Sequence, residues 1–162
     1  MPKNGILRAG TESTNEEGVM LLNSEKAAEI IAKQKPMDPK VIERVKTSLE
    51  KQGGIIVQSE EIDSYLVRSG REASTFTDGM IWMHTEVSAS GFYEELIHYG
   101  QIKSGRVDFD SVKSIIQMEI EAKERLIRNQ RAYGITDYEV TVLTEALESY
   151  KLQLEELREG GG

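Results

Sequence analysis

Asp78-Gly79 separates two β-rich runs, Ala73 to Thr77 and Met80 to His84, and this arrangement constrains the fold more than any other stretch. The pair tolerates the positive φ angles of a two-residue type I′ turn, so a β-hairpin is predicted, with the only tryptophan, Trp82, in its second strand. Helix signals bracket it on both sides. Upstream, Asn23 or Ser24 caps a helix to about residue 34, with Ala27, Ala28, Ile30 and Ile31 inward. Asp38-Pro39, a cap followed by proline at the first helical position, opens a second helix that turns Val41, Ile42, Val45 and Leu49 inward and ends at Gly53-Gly54. Ile55-Ile56-Val57 suits a short strand, and Ser59 starts a brief helix carrying Ile62, Tyr65 and Leu66. Downstream, Ser88-Ala89-Ser90-Gly91 caps a helix running to about Ile102, with Phe92, Leu96 and Tyr99 or Gly100 toward the core. Asp108 or Asp110 caps a long helix that stops near Tyr133-Gly134. Thr136 to Glu139 forms a capping box for a last helix striped by Leu143, Leu147, Tyr150, Leu154 and Leu157. The expected class is α+β, mainly helical, with a small sheet containing the hairpin.

The 162 residues suit a poorly ordered arm at 1–22, a single domain at 23–159 and a flexible tail at 160–162. A net charge of −8, with basic residues scattered rather than gathered in a stripe, argues against nucleic acid or an anionic membrane as partner. The absence of cysteine removes disulfides, thiol catalysis and thiolate metal sites together. No apolar run approaches a membrane span, so a soluble protein is expected, its compartment open. Gly-x-Ser-x-Gly and phosphate-cradling glycine loops are also missing. With His84 and His98 as the only histidines, any metal site must lean on carboxylates.

Glu94-Glu95-Leu96-Ile97-His98 supplies them. It has the spacing of His-Glu-x-x-His with a glutamate in place of the first histidine. Residues i and i+4 share a helix face, so Glu94 and His98 are placed to hold one divalent ion, with Glu95 beside it as the general base for a water. A second observation supports this reading. Over 109–131, Val112, Ile115, Ile116, Ala122, Leu126 and Ile127 gather on one helix face, and Glu119 falls near its middle. A carboxylate in an apolar stripe is costly unless it is paired with a lysine or arginine or bound to a cation.

The runs Gly79 to Met83, Ala89 to Gln101 and Glu119 to Ala122 resemble zincin-type metallopeptidase domains, above all compact ones of bacterial polymorphic toxins and phage-encoded proteins. The resemblance extends from Asp38-Pro39 to Thr136. It implies a zincin-like fold with His98, Glu119 and the substituted Glu94 as metal ligands and Glu95 as the catalytic residue. The implied cofactor is zinc or another divalent metal. The implied partner is a peptide or protein substrate laid along the strand Met80 to His84, with His84 or Tyr93 contacting substrate or the developing oxyanion. A larger toxin or phage parent protein and a cognate inhibitor are further implied partners. One imidazole with two carboxylates makes a harder donor set than two imidazoles.

Two other readings stand beside the peptidase. In one, the domain is a catalytically inactive binding or structural module of phage or toxin origin, in which the glutamates form a solvated face and His98 is a satisfied helix residue. In the other, Glu95-x-x-His98 is half of a carboxylate-bridged di-iron site, which requires a second Glu-x-x-His that the chain does not contain.

Overall fold

The computed structural model describes residues 28–29, 31–32 and 34–160. The arm expected over 1–22, most of the first expected helix and Gly161-Gly162 lie outside the described residues, although 28–29 and 31–32 are helical. The elements then run α1 (Pro39–Glu50), β1 (Ile55–Val57), α2 (Glu60–Arg68), β2 (Ala73–Thr75), β3 (Met80–Met83), α3 (Ala89–Lys103), α4 (Val112–Arg128), α5 (Gln130–Tyr133) and α6 (Asp137–Glu159). The molecule is mixed helix and strand, dominated by helix.

Local chemistry places most of these boundaries. Asp38 accepts from Lys40 N with Pro39 in the first turn of α1, Ser59 accepts from Ile62 N at α2, and Ser88 accepts from Gly91 N at α3. The capping box at Thr136 and Glu139 is formed in full. At α4 the cap is Ser111, bonded to Ser114 N, rather than Asp108 or Asp110. Asp108 is spent one turn earlier, accepting from Asp110 N while its own N–H donates to Ser114 Oγ.

The hairpin forms, but through a longer loop than the sequence suggests. Ala73, Ser74 and Thr75 pair antiparallel with Met83, Trp82 and Ile81, and Phe76 N donates to Met80 O. Three residues, Thr77, Asp78 and Gly79, therefore make the connection. Gly79 N donates to Phe76 O, and Gly79 sits at φ 92°, the left-handed seat of a three-residue hairpin loop. β1 adds to the other side of β3 in parallel, giving the order β1-β3-β2. β3 is therefore the central strand.

Two apolar clusters flank α3. One joins Ile42, Leu49, Ile56, Ile81, Met83 and Phe92 beneath the sheet. The other joins Ala89, Ile97, Ala122, Leu126, Ile135 and Leu143 between helices. α4 and α6 pack along each other, and α3 lies against both α4 and β2. Contributing to both clusters buries α3 on nearly every side. Glu94, Glu95 and His98 are thus inside the molecule rather than on a face adjoining the core, and Gly100 is exposed. On α4 the inward face holds Ile116, Met118, Glu119, Ala122, Lys123 and Leu126, whereas Val112 is 63% exposed in the first turn. Among the described residues, no helix is long and apolar enough to cross a membrane.

Candidate metal centre

The N-terminus of α3 is held by two carboxylates from outside the helix. Glu72 Oε1 accepts from Ser88 N at 2.8 Å, from Ser88 Oγ at 2.9 Å and from Gln34 Nε2 at 3.1 Å. Glu139, the capping-box residue of α6, accepts with Oε1 from Ser90 N at 3.0 Å and Ser90 Oγ at 2.8 Å, and with Oε2 from Thr136 N at 2.8 Å. Burial alone would raise the Glu139 pKa. The backbone and hydroxyl donors of Thr136 and Ser90 overcome it and hold the carboxyl below its ordinary 4.5. Negative charge at a helix start is also favoured by the aligned peptide dipoles. These contacts fix the axis of α3 and the direction in which its side chains leave.

One turn later those side chains meet α4. Glu94, His98 and Glu119 are all buried, and each offers a ligand atom within 4.8 Å of the others. His98 Nε2 stands 2.9 Å from Glu119 Oε1, but off the line of a directed N–H bond, so this buried ring nitrogen makes an ionic approach without a hydrogen-bond partner. The other ring nitrogen is fixed. Gln101 Nε2 donates to Met118 O and to Glu121 Oε1, both at 3.1 Å, which turns Gln101 Oε1 toward His98 Nδ1 at 2.8 Å. An amide oxygen only accepts, so Nδ1 carries hydrogen and Nε2 is the nitrogen facing the carboxylates, protonated in the imidazolium and offering a lone pair once that proton is given up. Burial lowers the pKa of His98, yet the charge of Glu119, with those of Glu95 and Glu94, outweighs it and raises the imidazole to about 9. The surrounding carboxylates thus stabilise positive charge on the ring.

Three contacts around this group were not singled out by sequence reasoning. Lys123 Nζ lies 2.9 Å from Glu94 Oε1 and 3.4 Å from Glu119 Oε1, and 5.0 Å from the centre of the Tyr150 ring. Tyr150 donates its hydroxyl to Glu119 Oε2 at 3.3 Å. Thr75 Oγ1, on β2, lies 3.2 Å from Glu95 O and 3.3 Å from Glu95 Oε2. Lys123 had a signal: it is four residues beyond Glu119, the spacing of a same-face ion pair. The plain expectation that Glu119 pairs with a lysine is met. Tyr150 and Thr75 carried no mark beyond belonging to an apolar stripe and a strand.

His84 and Tyr93 have their described partners elsewhere. His84 Nδ1 accepts from Glu86 N at 3.0 Å, and its Nε2 is 3.9 Å from Asp63 Oδ2. Tyr93 stacks on Tyr133 at 4.2 Å and meets Phe92 edge-on. The strand Met80 to Met83 cannot offer an edge to an extended peptide, because β1 and β2 occupy both its sides. β2 is the strand against α3.

No family model matches the chain, and no curated protein or solved structure matches it either.

Proposed function

We propose that this chain is a zincin-like metal-binding domain with metal-dependent peptidase activity, in which Glu94, His98 and Glu119 are the ligands and Glu95 is the catalytic base. The observation that carries the reading is the convergence of three buried ligand atoms within 4.8 Å, one of them a histidine nitrogen without a hydrogen-bond partner. The donors fit a small divalent cation. Zinc bonds to imidazole nitrogen and carboxylate oxygen are about 2.0–2.2 Å long, so ligand atoms this close need only small side-chain adjustments to share an ion. An ion there would supply Lewis acidity toward water and a peptide carbonyl. Glu94, next in sequence to Glu95, ties the base to the ligand set, and Thr75 holds one oxygen of Glu95 in place. In the reaction, Glu95 takes a proton from the attacking water and returns it to the leaving amine as the C–N bond breaks. Substrate class beyond a peptide or protein, and a toxin or phage setting with a cognate inhibitor, rest on the resemblance.

A second reading is favoured by one observation: Glu94, Glu95, His98 and Glu119 are at most 3% exposed, and Lys123 already sits on two of them. In that reading the domain is a catalytically silent zincin-shaped binding module. Elemental analysis of protein purified without chelator separates the two, with Glu119→Gln and His98→Ala as controls. Near-stoichiometric zinc, manganese or iron in the parent and its loss in both variants are expected. Peptidase activity that disappears in Glu95→Gln while the metal stays bound would complete the case. A parent that takes up no metal when all three are offered eliminates the peptidase. A metal-loaded but inactive parent leaves the binding module.

A further inference from the structure

The ammonium of Lys123 lies against two of the three candidate ligands. It bridges Glu94 Oε1 at 2.9 Å and Glu119 Oε1 at 3.4 Å, and the latter is the same oxygen that His98 Nε2 approaches at 2.9 Å. Lys123 is 3% exposed and comes from α4, the helix that also delivers Glu119, so neither solvent nor a mobile loop controls its presence. A divalent ion brought onto the same carboxylate oxygens would be strongly repelled by the ammonium in a dry interior, where charges interact through a low effective dielectric. The Tyr150 ring, whose centre is 5.0 Å from Nζ, already helps to hold the ammonium against the two carboxylates.

We infer that Lys123 is a built-in competitor for the metal site: its ammonium fills the Glu94–Glu119 pair in the metal-free protein and must leave that pair for a divalent ion to bind. The inference rests on the metal-binding reading and adds to it a consequence for affinity. Without Lys123 the metal-free site would lose one of the cations that offset its buried carboxylates, a costly state. With Lys123 present, the metal-free protein is folded and charge-compensated, and each ion that enters must displace the ammonium. The site is therefore built to load and release its ion rather than to keep it permanently.

The test is titration of zinc and of manganese by calorimetry into the full chain, for the parent, Lys123→Met, Lys123→Gln and each of these combined with Glu119→Gln. Lys123→Met matches the stem in length and removes the charge. Lys123→Gln keeps a donor for the carboxylates in case the methionine variant fails to fold. The expected result is metal binding at least about tenfold tighter in both lysine variants than in the parent, abolished by Glu119→Gln. A thermal midpoint that falls in the metal-free lysine variants and recovers on adding metal is the accompanying signature. Binding by Lys123→Gln with none by the parent supports the inference in its strongest form. Equal or weaker binding in the lysine variants, with the parent still binding through Glu119, overturns the inference and leaves the metal site standing. Absence of binding in every protein overturns both.

Discussion

Gln101 decides which nitrogen of His98 faces the carboxylates. Its two amide hydrogens are committed to Met118 O and Glu121, so its oxygen is the only group it can present to Nδ1. Partners of this kind usually set the tautomer and orientation of a ligating imidazole, and losing one weakens metal binding about 10–100-fold. Gln101→Ala is expected to weaken zinc binding within that range. It should also abolish the slowly exchanging Nδ1 proton of His98 in the nitrogen-resolved NMR spectrum of the metal-free protein. A variant that keeps that proton signal and full affinity would show that the ring is oriented by packing alone. The buried cluster of Glu94, His98 and Glu119 was legible in sequence, since Glu94 and His98 follow from four-residue spacing and Glu119 from its place in an apolar stripe. Gln101 was not, and Lys123 was marked only by its four-residue spacing from Glu119. A helical pattern identifies shared faces, but whether a charged or amide group on such a face turns toward solvent or toward a buried neighbour depends on helices distant in sequence.

Among the elements, α3 and α6 are tied by the hydrogen bonds of one carboxylate. Glu139 closes the capping box of α6 with one oxygen and receives the Ser90 N–H and hydroxyl of α3 with the other. Because its folded pKa lies below the ordinary 4.5, the carboxylate contributes stability that is fully present above the unfolded value and is lost as pH falls through the folded one. Glu139→Gln is expected to cost about 2 kcal/mol at pH 7, the scale of hydrogen bonds to a charged group. The gap between parent and variant urea midpoints should narrow steadily below about pH 4.5. A gap that stays constant to pH 3 would mean that side-chain shape, not charge, carries the contact. The capping box itself was readable from Thr136 and Glu139. Its second use was not, because Ser90 is 49 residues away in sequence. The same limit explains why α3 read as two-faced. Its polar residues alternate with apolar ones as they would on a surface helix, and only its placement between two apolar clusters makes Glu94, Glu95 and His98 interior.

At the scale of the molecule, α3 ties the sheet side to the helical side. Phe92 belongs to the cluster under the sheet and Ile97 to the cluster between helices, five residues apart on one rigid element. If both halves depend on that helix, damage to either must unfold both together. Trp82 makes this measurable, because the single tryptophan lies on the sheet side, edge-on to Tyr65 at 5.4 Å and Phe76 at 5.1 Å. Leu126, fully buried on α4 among the helices, belongs to the other cluster. Leu126→Ala removes its side-chain packing at a cost of about 2–5 kcal/mol. In one cooperative unit, the Trp82 fluorescence transition should move to lower denaturant by the same amount as the helical circular-dichroism transition, although Trp82 is in the sheet and Leu126 between helices. A Trp82 transition that stays at the parent midpoint while the helical signal shifts would divide the molecule at α3. The candidate ligands Glu94, His98 and Glu119, drawn from α3 and α4, would then belong to a helical unit able to open while the sheet remains folded.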